Sequence, residues 1–184
     1  MVQRGIGIVG ARALPDSFRG QVSDIVRYLL ERDYHIHTGG ALGADMYVLQ
    51  ALIEQRAIDR GLILSAWASV EGFPREVQRY VDYYVSHRGR VSWGIVPQRA
   101  SRGLAVAGLL ARNQRLVRSS VGIVAFLYGD STGTIRTIRE AIRLERRVVV
   151  FVCGGGAVLP EVSGQWIPLH CSVPCWGGGY LYRA

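Results

Sequence analysis

Thr38-Gly39-Gly40-Ala41-Leu42-Gly43-Ala44-Asp45 is the stretch whose reading decides the fold. A short strand-like run, Tyr34 to His37, leads into it, and a helical pattern from Met46 to Gln55 leads out. Strand, glycine-rich turn and helix in that order make a βα unit. The glycines at 39, 40 and 43 relax the backbone restrictions of the turn and let N–H groups approach a ligand closely. The helix N-terminus behind them offers unpaired N–H groups and partial positive charge, which suits a phosphate. Asp45 stands where it can cap that helix. The same residues also read as a tight connecting turn that binds nothing. The spacing is neither GxGxxG nor GxxxxGK[ST], so it is not a standard dinucleotide or Walker fingerprint.

Working outward, the same unit recurs. Ile6 to Val9 is a buried strand ended by Gly10-Ala11-Arg12, and Pro15, Asp16 and Ser17 start a helix whose apolar stripe is Phe18, Val22, Ile25, Val26, Leu29 and Leu30. Gly61 to Ala66 is a third strand, followed by a polar helix from Arg75 to His87 with Val77, Val81 and Val85 inward. Arg88 to Ala100 has no clear period and reads as an irregular excursion before a helix from Gly103 to Arg118. Val121 to Leu127 and Arg147 to Val152 are the fourth and fifth strands. The helix between them points Ile135, Ile138, Ala141 and Ile142 inward and carries Arg136, Glu140 and Arg143 as outward pairs. Apolar strands alternating with helices predict an α/β fold. It is a three-layer, Rossmann-like, doubly wound architecture with a mainly parallel sheet of five or more strands. Residues 1–184 read as one such domain, with an irregular, Gly-rich tail from about 158.

The chain has 184 residues and a formal charge of +8, and all 22 of its basic residues are Arg. Arginine favours bidentate phosphate contacts and stacking on bases, so anionic partners are expected. Base composition of the coding sequence would produce the same inventory. The start shows no signal peptide and no apolar run is long enough to span a membrane. Three cysteines then read as reduced thiols, and the expected location is cytoplasmic.

Right-handed crossovers place the strand C-termini along one rim, where ligands of such sheets bind. That rim collects Gly10, Arg12, Thr38, Gly39, Gly40, Ala41, Gly43 and Asp45 with a second loop, Ser131-Thr132-Gly133-Thr134. The hydroxyls and helix start of the second loop make it another phosphate cradle, or an ordinary cap. Asp45 and Asp130 would repel a phosphate, so they are expected to cap helices or meet a sugar hydroxyl. Arg112, Asn113 and Arg115 form a polar cluster in a helical pattern, and the two arginines share a face. From Tyr83 to Gly129 there is no acidic residue, while seven arginines accumulate around Trp93. That mixture suits single-stranded nucleic acid, and equally a solvated basic face over core aromatics. His35 and His37 alternate along a strand and read as structural. Cys171 and Cys175, with His170 and Cys153, have a spacing seen in zinc sites but no second pair, so buried thiols are preferred and no metal or required cofactor is expected.

In order, Gly10-Ala11-Arg12, Thr38 to Asp45, Arg112-Asn113-Gln114-Arg115-Leu116-Val117 and Ser131-Thr132-Gly133-Thr134 resemble motifs of the SLOG superfamily, specifically the Rossmann-like domain of the DNA-processing protein A family. The resemblance covers residues 5–152; Thr38 and Ala44 depart mildly from that family's Ser-Gly-Gly-Ala-x-Gly-Ile-Asp loop. It implies a nucleotide or single-stranded DNA as ligand, recombinase loading in the fuller-length relatives, and a homodimer. A second branch, the Lonely Guy phosphoribohydrolases, carries Pro-Gly-Gly-x-Gly-Thr-x-x-Glu in the second loop. Thr137 stands here in place of that catalytic Glu, with Glu140 a turn further on. Binding is therefore the preferred expectation, and cleavage of an N-glycosidic or phosphate bond by Asp45, Asp130 or Glu140 the alternative.

Overall fold

The computed structural model describes residues 4–170 and 172–184. Eight strands form one sheet: β1 (Gly5–Gly10), β2 (His35–Thr38), β3 (Gly61–Leu64), β4 (Arg90–Ser92), β5 (Gly122–Leu127), β6 (Arg147–Val152), β7 (Gln165–Pro168) and β8 (Gly179–Arg183). Five helices cover it: α1 (Arg19–Leu30), α2 (Ala44–Glu54), α3 (Arg75–Ser86), α4 (Arg102–Arg118) and α5 (Thr132–Arg143). The strand order is β4-β3-β2-β1-β5-β6-β8-β7, parallel from β4 to β6 and antiparallel beyond.

Two apolar clusters show why the sheet is sandwiched. Along β1 and β5, Ile8, Val124 and Phe126 point into the cluster beneath α1, α2 and α3. Their neighbours Val9, Ile123, Ala125 and Leu127 point the other way, into the cluster with Leu116 and Val117 of α4 and Ile138 of α5. Side chains alternate across a strand, so a run that is apolar at every position needs cover on both faces. The three-layer, doubly wound, Rossmann-like reading holds, and the sheet is larger than the five strands read directly.

Two segments differ from their reading. The stretch after Arg88 is not wholly irregular, because Arg90–Ser92 pairs with β3 as the parallel edge strand β4. The tail from about 158, expected to be irregular, supplies β7 and β8, and β8 lies between β6 and β7. The turn Pro174–Trp176 fixes that tail to α1: Trp176 meets Tyr28 edge-on, and Gln21 Nε2 donates to the Cys175 carbonyl at 3.2 Å. Cys171 lies outside the described residues, so the Cys171–Cys175 spacing has no geometry here. Among the described residues no three His, Cys, Asp or Glu side chains converge as metal ligands would. No helix there is long and apolar enough to cross a membrane.

Candidate functional site

β1 is the switch point of the sheet, with β2 on one side and β5 on the other. Loops leaving the C-termini of adjacent strands diverge there to opposite faces and leave a crevice. A cleft of about 500 Å³ occupies it. Gly10, Ala11 and Arg12 come from the end of β1, Tyr128 to Ser131 from the end of β5, and Thr132, Gly133, Thr134 and Arg136 from the first turns of α5. Val106, Leu109 and Leu110 of α4 supply an apolar wall, and Ala41, Asp45, Arg112, Asn113 and Thr137 also line the cleft. Thr38, Gly39, Gly40, Gly43 and Arg115 lie outside it.

The glycine-rich loop packs closely against the rest of the chain. Asp45 accepts from the Ala41 N–H at 3.2 Å and sits against Arg112, whose Nη1 donates to it at 3.4 Å. Both side chains are almost fully buried, at 3% and 7% exposure. Burial pushes the Asp45 carboxyl up and the Arg112 guanidinium down, and each is opposed by the other's charge and, at Asp45, by backbone N–H groups of Ala41 and Gly39. Asp45 therefore does not cap α2 as expected; it stands in the first turn and anchors the loop. The guanidinium lies against Gly39, where a Cβ would fall 1.5 Å from Arg112 Nη1. Gly43 takes a positive φ of 69° and lies against the Ala11 carbonyl, whose oxygen would meet a Cβ at 2.2 Å and accepts from the Ala44 N–H at 3.3 Å. Thr38 is fully buried, with no partner for its Oγ1 among the described residues.

The second loop is more open. A Cβ at Gly133 would meet nothing within 4 Å, so the start of α5 faces free space. The first N–H groups of a helix have no intrahelical partner; that of Thr132 is taken by Asp130 Oδ1 at 3.2 Å, which also accepts from the Thr132 hydroxyl. These contacts hold the exposed Asp130 carboxyl below its ordinary range. Ser131 is not a donor to the cleft, because its hydroxyl is exchanged with the Tyr128 backbone at 2.8 and 3.1 Å. Gly133 and Thr134 remain as backbone donors at the helix start. The helical spacing places Arg136 in an outward pair, but Arg143 takes Glu140 with contacts of 2.9 and 2.7 Å, and Arg136 lines the cleft. Its position one turn after Thr132 was the signal available for it. Thr137, where the phosphoribohydrolases have Glu, donates its hydroxyl to the Gly133 carbonyl at 3.1 Å.

Arg112 has a further property. A guanidinium carries five N–H donors. Among the described residues this one makes the long contact to Asp45 and leaves its Nε buried and unpartnered. An under-bonded buried cation, exposed Arg12 and Arg136, and a helix N-terminus, all lining one cleft, together suit an anion. Arg115, although it shares a helix face with Arg112, goes elsewhere: it donates to Ser92 Oγ at 3.1 Å, to the Trp93 carbonyl at 3.4 Å and to the Ser65 carbonyl.

His37 is structural. Its Nδ1 lies 3.1 Å from Ser120 Oγ and 3.3 Å from Ser119 Oγ, and its ring fills the space above Gly5.

Residues 1–162 match the model of the family described as DNA recombination-mediator protein A. No curated protein matches the chain. Among solved structures, DNA processing protein A from Helicobacter pylori, described for its single-stranded DNA binding mode, superposes with a TM-score of 0.63 at 17% identity, over 82% of this chain and 66% of its own. DNA processing protein A from Streptococcus pneumoniae gives 0.63 at 16% identity, over 85% of this chain and 52% of its own. The chain thus spans between about half and two thirds of the length of these two structures.

Proposed function

The chain belongs to the DNA recombination-mediator protein A family, and on that footing we propose that it binds single-stranded DNA, holding one nucleotide of the strand in the cleft beside β1. The observation that carries this reading is the meeting of Arg12, Arg112 and Arg136 with the open start of α5 in a cleft of about 500 Å³. The phosphate lies at the N–H groups of Gly133 and Thr134, with Arg136 and Arg12 over it and the Arg112 guanidinium behind. The sugar and base run along the apolar wall of Val106, Leu109 and Leu110, and Asn113 offers a donor and an acceptor to a base edge. The two-loop cradle is thereby redistributed: the loop from Thr38 to Asp45 holds Arg112 in place, and the loop from Ser131 to Thr134 meets the phosphate. A nucleotide-derived small molecule would fit the same features, and a homodimer goes with the family resemblance. Mononucleotide competition and light scattering test these two points.

Gly133→Val is the decisive substitution, since Gly133 lines the cleft and a Cβ there meets no heavy atom within 4 Å. Anisotropy of a fluorescein-labelled oligothymidylate should show at least about a tenfold loss of affinity. Binding by the parent chain should weaken steeply with salt, as phosphate contacts demand. Unchanged affinity in Gly133→Val and in Arg136→Ala would refute the cleft as the site.

The alternative, bond cleavage, meets acids that are already engaged. Asp45 is paired with Arg112, Asp130 with Thr132, and Glu140 with Arg143, whose hydrogen bond holds the Glu140 carboxyl below its usual range. Released base from a panel of nucleoside monophosphates would nevertheless establish turnover and overturn a pure binding role.

A further inference from the structure

Beyond the cleft, the rim carries a second group of side chains that the site leaves unused. Trp93 is 38% exposed and Ile95 87% exposed, both in the loop that follows β4. Leu104, on the first turn of α4, is 44% exposed. Exposed apolar side chains are common singly, but Trp93 and Ile95 stand two residues apart on a backbone that is held rigidly. Val96 pairs with Trp67 as a parallel bridge, its N–H reaching the Ala66 carbonyl at 3.1 Å and its carbonyl accepting from Ala68 at 2.9 Å. The Gly94 N–H reaches the Trp67 carbonyl at 2.9 Å, and Gly94 lies so close to Ala66 that a Cβ would meet its carbonyl oxygen at 2.0 Å. Gly108 of α4 seats directly on Val96, where a Cβ would fall 2.1 Å from Cγ2. Phe73 braces the Trp93 ring edge-on, with ring centroids 6.3 Å apart at 73°. Arg115 adds the clamp described above, tying the ends of β3 and β4 to α4.

Arginine flanks this surface. Arg99 and Arg102, both exposed, bracket the loop and the start of α4, and no acidic residue occurs between Tyr83 and Gly129. β4 is the third strand from β1, so the path between them along the rim is about 14 Å at ordinary strand spacing.

From the rigid display of Trp93 and Ile95 beside Arg99 and Arg102, on the same rim as the cleft, we infer a second nucleic-acid contact surface. A base flanking the cleft nucleotide stacks there, so the bound strand runs from β1 toward the β4 edge and away from β7 and β8. Rigid aromatic surface interleaved with arginine is what sequence-tolerant stacking requires. Arg115 is a positioning residue for this surface, acting through the Trp93 loop. The inference rests on the single-stranded DNA reading of the cleft.

The test uses the full chain, a fluorescein-labelled oligothymidylate of about 15 nucleotides and thymidine monophosphate. Trp93→Ala with Ile95→Ser should weaken oligonucleotide binding by at least about fivefold and leave monophosphate binding unchanged. Trp93→Phe should restore most of the loss, and indole fluorescence should be quenched by the oligonucleotide only when Trp93 is present. If the substituted chain binds the oligonucleotide as the parent does while Gly133→Val does not, the second surface is refuted and the cleft stands. If the parent binds no oligonucleotide, both fail. If light scattering shows that the substitutions instead dissociate an oligomer with DNA affinity per chain unchanged, the face is a contact between copies and the inference is overturned.

Discussion

Burial sets the protonation of His37 at the level of a single ring. Desolvation first, then the charges of His35 and Arg90, lower it from 6.5 to about 4. In the unfolded chain the ring takes up a proton near its ordinary value, while the folded chain resists until about pH 4. The unfolded state therefore binds more protons between these limits, and stability falls as pH drops through them. The loss approaches about 3 kcal/mol at pH 4. Urea unfolding at pH 7 and pH 5 should show it, and His37→Gln should flatten that part of the profile. Arg112 is the other residue whose surroundings decide its role. Arg112→Ala leaves Asp45 buried without its cation, and the expected cost is about 3–5 kcal/mol by urea unfolding. For that reason loss of binding in this variant reports folding as well as ligand contact. The sequence made Arg112 and Asp45 visible as polar positions inside apolar patterns. It did not show that they meet, because they stand 67 residues apart and only the crossover of α4 brings them together.

At the level of elements, the βα units were legible because period and punctuation agreed at each of them. The glycines of the first loop were legible as a turn, but their purpose was not. Close approach to a ligand and close approach to the protein's own backbone demand the same residue, and Gly43 lies against the Ala11 carbonyl. Gly43→Ala combines a positive φ with a backbone clash, so it should destabilise α2 and lower the thermal midpoint by several degrees. β4 and β7 escaped notice for a different reason. Each lies at an edge, is only three or four residues long and is at most half-buried, so no apolar run announces it. The start of α4 offers a milder check. Ser101 Oγ accepts from the Leu104 N–H at 3.3 Å, and Ser101→Ala should cost about 1 kcal/mol in unfolding experiments.

For the molecule as a whole, the excess of arginine is not spread evenly in its roles. Arg112 and Arg115 hold the architecture together, whereas Arg12, Arg99, Arg102 and Arg136 stand exposed along the rim. Composition alone showed the charge and left its distribution open, since pairing depends on three-dimensional neighbours. The sheet order has a consequence in time. β7 joins the sheet only through β8, which is itself seated on β6. Residues 165–168 are made before residues 179–183, yet they have no place to dock until the later segment arrives. Assembly of this edge is therefore obliged to run against the direction of synthesis. Until it does, β6 presents an unpaired border, which is the point at which a newly made chain is open to association with its neighbours.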